Sequence, residues 1–173
     1  MLRGPSMATE LVLTGFGELE GIELLQKIPL FSRLTYDETS RLAPIIQHVD
    51  VAEGTVVIEQ SALGDALYVI QDGEVRVARE VEGQPGHDEE LGRLKTGELF
   101  GEMALLDDLL TSARVTAMRP TRLLKLPKAD FEKLLQADAA LAVKVYRSFC
   151  RTLSDRLRRA NQMISARSPH GWS

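Results

Sequence analysis

A chain of 173 residues, 44% of them hydrophobic and 27% charged, has the size of one ordinary domain and enough apolar surface for a core without staples. Its single cysteine, Cys150, excludes an internal disulfide framework and a multi-cysteine metal site, and His48, His87 and His170 lack a metal-ligand spacing. The net charge of −4 conceals an asymmetry, because residues 141–173 carry seven basic side chains against Asp155 alone, a net of +6 that leaves −10 on residues 1–140.

The basic end either offers a surface to an acidic partner or nucleic acid, or complements a helix C-terminus. No apolar run approaches the ~20 residues of a membrane span. Leu11-Val12-Leu13 is too short for the apolar part of a signal peptide, so no membrane association and a reducing, cytoplasmic setting are expected. Residues 1–18 read as a flexible N-terminus.

From Leu19 to about Ile28 the apolar residues Leu19, Ile22, Leu24, Leu25 and Ile28 fit a short amphipathic helix, interrupted by Pro29. Thr35-Tyr36-Asp37-Glu38 reads as a capping box that opens a second helix carrying Leu42, Ile45 and Ile46, with Pro44 predicting a kink or an early end. The period then changes to two. Val49 and Val51 alternate with polar residues, Glu53-Gly54 turns the chain, and Thr55 to Glu59 is a β-branched run. Ser61 to Asp65 is a loop. Ala66 to Gln71 and Glu74 to Ala78 read as two strands, paired as a hairpin through Asp72-Gly73. Val81 to Glu90, with Gly83, Pro85 and Gly86, reads as a polar loop, and Leu91 to Leu94 resumes a strand. Short strands with turn signals at this density predict an antiparallel sandwich or barrel.

After the turn at Thr96-Gly97-Glu98 comes Leu99-Phe100-Gly101-Glu102-Met103-Ala104-Leu105-Leu106, an apolar pair followed by one or two helical turns. Glycine at a helix start lets a ligand approach the backbone, the free N–H groups of the first turn suit an anion, and the ionised Glu102 suits hydroxyls because it only accepts hydrogen bonds. Glutamate at a helix start is also favoured by the dipole without any ligand. Thr111 to Ala117 is strand-like, with Ala113, Val115 and Ala117 on one face, and Thr121 to Leu126 is the last strand. Phe100 and Leu105 are expected in the core, as is the Cys150 thiol.

Pro127 starts the C-terminal helices. The first carries Phe131, Leu134 and Leu135 at helical spacing; the second runs from Ala139 to about Ile164 with a stripe of Tyr146, Phe149, Leu153, Leu157, Ala160 and Ile164. That stripe either packs on its own barrel or forms a seam for a partner helix or a homodimer, with Arg151, Arg156, Arg158 and Arg159 beside it. Residues 165–173 read as a flexible tail in which Trp172 is unexplained.

Phe100-Gly101-Glu102-Met103-Ala104-Leu105, followed by Ser112-Ala113, resembles the phosphate-binding cassette of the cyclic nucleotide-binding domain family. The segment from Leu25 through Ile28-Pro29-Leu30-Phe31 to Leu34-Thr35 and Glu38 resembles the family's helical entry, and Gly54, Gly64 and Gly73 match its turn glycines. The resemblance implies a mainly β fold with flanking helices: a jelly-roll β-barrel over residues 19–164, with the cassette at 99–117 and two C-terminal helices at 128–164. It implies a binding site for cAMP, cGMP or another cyclic nucleotide at Gly101, Glu102, Met103, Ala104, Leu105, Thr111, Ser112 and Ala113. Where the family has the arginine that pairs with the cyclic phosphate, this chain has Thr111. By strand alternation Arg114, three positions on, is expected to face away from that place, unless a slipped register or a longer loop brings it in as a substitute.

No nucleophile–base pair, metal spacing or triphosphate loop is legible, so binding rather than catalysis is expected, with no cofactor and no metal. No DNA-binding domain fits after the long helix. Two functions remain open: a stand-alone regulatory module that senses a cyclic nucleotide or related small molecule and signals through a partner protein, and a degenerate domain that serves as an interaction module without ligand.

Overall fold

The structure, a computed structural model, describes residues 15–81, 86–105 and 110–167. Expectations placed on residues 1–14, on Gly83 and Pro85, and on 168–173 with His170 and Trp172 lie outside the described residues, as do the side chains of Ala104, Arg156, Arg159, Ala160 and Ile164.

Helix α1 (Gly15–Lys27) begins ahead of the expected Leu19. It buries Ile22 and Leu25 and gives way to tight turns in which Phe31 N–H bonds to Ile28 O at 2.9 Å and Leu34 N–H to Phe31 O at 2.9 Å. Thr35 caps α2 (Tyr36–Ser40) with a full capping box: Glu38 N–H donates to Thr35 Oγ1 at 3.3 Å, and Thr35 N–H donates to Glu38 Oε2 at 2.9 Å. The helix ends at Ser40 and a 3-10 turn takes Ala43–Ile45, the early stop that Pro44 imposes.

Eight strands follow: β1 (Gln47–Val51), β2 (Val56–Ile58), β3 (Ala66–Asp72), β4 (Glu74–Glu80), β5 (Asp88–Lys95), β6 (Leu99–Phe100), β7 (Arg114–Ala117) and β8 (Thr121–Pro127). They form two antiparallel four-stranded sheets, ordered β1-β8-β3-β6 and β2-β7-β4-β5. The pairs β1–β8, β2–β7, β3–β6 and β4–β5 nest inside one another, the wrapping of a long double strand that makes a jelly roll. No ladder among the described residues closes the two sheets into a barrel.

Asp72-Gly73 is not the turn of a hairpin. β3 pairs with β8 and β6, whereas β4 pairs with β5 and β7, so this turn carries the chain from one sheet to the other. Gly73 has φ +130°, and a Cβ there would lie 2.3 Å from Thr121 Oγ1, so the crossover depends on the missing side chain. The stretch read as a polar loop also supplies strand. Asp88, Glu89 and Glu90 begin β5, paired with Glu80, Arg79 and Ala78. β5 is an edge strand, where charged side chains reach water on either face and block further pairing; Arg79 and Glu89 form an ion pair at 3.0 Å.

Two apolar layers explain why β3 lacks alternation. Ala66, Tyr68 and Ile70 join Val75, Phe100, Val115 and Leu123 between the sheets. Leu67 and Val69 face the other way and, with Leu99, Leu124 and Leu126, meet the helices. Each fully buried leucine there contributes roughly 1.5–3 kcal/mol. The helical layer is α1, the turns around Phe31, α3 (Lys128–Ala137) and α4 (Ala139–Arg167), and it centres on an edge-to-face contact of Phe31 with Phe131 at 6.3 Å. Arg41 of the segment after α2 pairs with Asp138, and Lys144 of α4 reaches Glu38 at 2.6 Å.

α4 has 29 residues and a length of about 43 Å. Leu141, Val145 and Phe149 are buried in the core, whereas Leu157 is 63% exposed and Tyr146 is also exposed. The predicted stripe therefore divides: Phe149 packs on its own domain, and Leu157 faces outward. The Cys150 thiol is exposed and not buried as expected, since the residue next to an inward-facing Phe149 is turned about 100° around the helix. Among the described residues no helix is long and apolar enough to cross a membrane.

Candidate functional site

Leu99 and Phe100 pair with Val69 and Tyr68, and the Phe100 ring stacks on Tyr68 at 5.1 Å and 9°. This fixes where the chain leaves the sheet. At Gly101 φ is +78°, and a Cβ would sit 2.6 Å from the Ala66 carbonyl oxygen. Only glycine takes both that conformation and that approach without strain. The next residues, Glu102–Leu105, form a single 3-10 turn, shorter than the one or two helical turns expected, so the dipole it aims at a ligand is correspondingly small.

Beside this turn lies a cavity of about 1030 Å³. Of the predicted site residues, Gly101, Glu102, Met103, Thr111, Ser112 and Ala113 all line it. Leu105 points instead into the core with Leu67 and Phe131, and Ala104 lies in the same turn. The floor is apolar, made by Val57, Ile58, Val77 and Val115 from the second sheet. Pro29 from the turns after α1 and Thr152 and Asp155 from α4 complete the lining, so the helical segments before and after the strands both reach the cavity. Sequence reasoning missed these α4 residues, and also Leu91, Arg93 and Glu98, because a strand-by-strand reading does not show which residues converge across a sandwich.

Glu102 is 5% exposed and lines the cavity. Thr111 is held by the loop opposite. Its hydroxyl accepts from Ala62 N–H at 3.0 Å and donates to the Glu59 carbonyl oxygen. Its backbone adds N–H to Ala62 O at 2.8 Å and accepts from Ser61 N–H at 2.8 Å. Leu63 and Leu110 form a bridge next to it. Thr111 thus stitches the end of the cassette to the loop before β3. Arg114 does face away: its neighbours Ala113 and Val115 line the cavity, while its guanidinium pairs with Glu59 at 3.1 Å and Asp88 at 3.5 Å. Behind the cassette Lys125 bonds Asp65 at 3.0 Å and lies over the Tyr68 ring, whose phenol is pushed up by burial and by Asp65. Among the described residues no group of His, Cys, Asp and Glu side chains has metal-binding geometry.

With this geometry in hand, comparison with known proteins places the chain among relatives. A family model described as "Cyclic nucleotide-binding domain" matches residues 48–138. The chain is 36% identical over 111 residues to a cAMP-dependent protein kinase regulatory subunit of Yarrowia lipolytica, a match covering 64% of this chain and 28% of the relative. Among solved structures, the catabolite activator protein of Thermus thermophilus is similar at 33% identity and TM-score 0.68, covering 80% of this chain and 62% of that one. A cyclic nucleotide-binding domain from Methylobacillus flagellatus shares the fold at TM-score 0.76 and 23% identity, over 91% and 88% of the two chains. The match spans only 15%, 28% and 19% of the length of the first three curated relatives.

Proposed function

The chain belongs to the cyclic nucleotide-binding domain family, and from that premise we propose that it is a regulatory module, without catalysis of its own, that senses a cyclic nucleotide or related small molecule in the cavity and signals through a partner protein. The observation that carries the reading is the convergence of Gly101, Glu102, Met103, Thr111, Ser112 and Ala113 on one cavity of about 1030 Å³, a size suited to a nucleotide-sized ligand. Glu102 would accept from sugar hydroxyls, and the apolar floor would take a base. α4 touches the mouth through Thr152 and Asp155, so an occupied cavity would alter the position of α4. The exposed Leu157, with Leu153, Arg151 and Arg158 near it, is where a partner protein or a second copy of the chain would be affected.

Calorimetric titration with cAMP and cGMP tests this reading. Micromolar binding by the wild-type chain, lost in Glu102→Ala, is the expected result. A second reading is a ligand-independent interaction module, favoured by the Thr111 hydroxyl being engaged by Glu59 and Ala62. It predicts no wild-type binding of either cyclic nucleotide up to millimolar concentration.

A further inference from the structure

Helix α4 carries two apolar stripes, and its own domain covers one of them. Leu141, Val145 and Phe149 lie in the core. The other stripe is Val143, Tyr146, Cys150, Leu153 and Leu157, spaced by three, four, three and four residues. This seven-residue repeat keeps an apolar seam facing one way along the helix and suits the knobs of a second helix rather than a strand or a flat surface. Val143 is 56% exposed, Tyr146 44% and Leu157 63%; Cys150 is exposed and Leu153 half-buried. A continuous run of large apolar side chains left open to water marks a contact surface.

The flanks of the seam define the kind of helix that fits. The residues just before its members, Ala142, Val145, Phe149 and Thr152, are buried or half-buried, so the domain itself closes that flank. The residues just after them are turned about 100° the other way and form the open flank. There Lys144 is held by Glu38 at 2.6 Å, Ser154 is uncharged, and Arg147, Arg151 and Arg158 are exposed. Among the described residues no carboxylate pairs with Arg147 or Arg151, and Arg158 meets only the exposed Asp155, at 3.7 Å. No acidic side chain stands on the open flank. A second copy of α4 laid on the seam therefore adds arginines without a complement, whereas a helix edged with carboxylates supplies it. We infer that the seam of α4 docks an amphipathic helix of another protein, apolar along one face and bordered by Asp and Glu side chains. This names the partner's chemistry and rests on the proposed signalling through a partner protein.

Two labelled synthetic helices test the inference on the full chain by fluorescence anisotropy. Both carry leucines at the same three-four spacing; one is flanked by glutamates and the other by lysines. The expected result is that the glutamate helix binds at least about tenfold tighter, with a gap that narrows at high salt as the charges are screened. Arg147→Glu combined with Arg151→Glu, both at exposed positions, reverses the preference, and Leu157→Gln weakens both helices. Equal binding of the two helices by the wild-type chain, or binding of neither, overturns the inference. A dimer of the chain at micromolar concentration, seen by sedimentation and dissociated by Leu157→Gln, overturns it too, because a second copy then covers the seam. Tighter binding of a DNA duplex than of the glutamate helix has the same force. Calorimetry with cAMP and cGMP on the same samples separates this inference from the sensor reading: cyclic nucleotide binding without helix binding sinks the first alone, and helix binding without cyclic nucleotide binding sinks the second alone.

Discussion

Gly101 shows how one residue ties fold to site. Its φ of +78° and the 2.6 Å that would separate a Cβ from the Ala66 carbonyl oxygen allow no side chain. Gly101→Ala is expected to lower stability by about 2 kcal/mol or more, read as a lower urea midpoint at unchanged slope. Thr111 is the counterpart on the other side of the cavity. From the sequence it stands as a weak substitute for a phosphate-pairing arginine, able to offer a ligand one neutral hydroxyl. In the fold that hydroxyl serves the chain itself, through Ala62 and Glu59. Nothing in the local sequence reveals this, because the partner loop lies some fifty positions away and meets Thr111 only after both sheets have formed.

Among the elements, α2 and α4 are joined by charge. The hydrogen bond from Lys144, and next the one from the Thr35 backbone, hold the Glu38 carboxyl below its usual range. A carboxyl whose pKa is lower in the folded than in the unfolded chain contributes stability in full above the unfolded value, and that contribution fades as pH falls through the folded value. Acidification from about pH 5 to pH 3 should therefore loosen the contact between α2 and α4. Glu38→Gln keeps an acceptor for the Thr35 N–H and removes the titration, so its thermal midpoint should vary less over that interval than that of the wild type. The capping box was legible because its residues are neighbours in the chain. The path of Asp72-Gly73 was not. A glycine of positive φ serves a hairpin and a crossover equally well, and the choice is made by Thr121, packed beneath Gly73, and by the bulge between Ile70 and Asp72. From the sequence β5 looks shorter than it is for a related reason: its acidic start resembles a loop, and only its position at a sheet edge makes such residues acceptable in a strand.

For the molecule as a whole, the nested order of the strands has a kinetic consequence. The innermost pair, β4–β5, joins Val75 to Leu94, close in the chain, while the outermost, β1–β8, joins Val49 to Leu123. Each successive pairing closes a longer stretch of chain unless the pair inside it has already formed. Refolding should thus proceed from the centre of the sequence toward its ends, at the slow rate typical of non-local β topologies. Val75→Ala is expected to slow refolding, whereas Val49→Ala is expected chiefly to speed unfolding, and stopped-flow chevrons for the two variants separate these effects. The reverse assignment would mean that the outer pair forms first. On the expected order, the last ladder to close is also the first to open. Excursions from the native state would then begin where the helical entry meets β1 and where β8 meets α3, while the innermost turn of the roll stays intact.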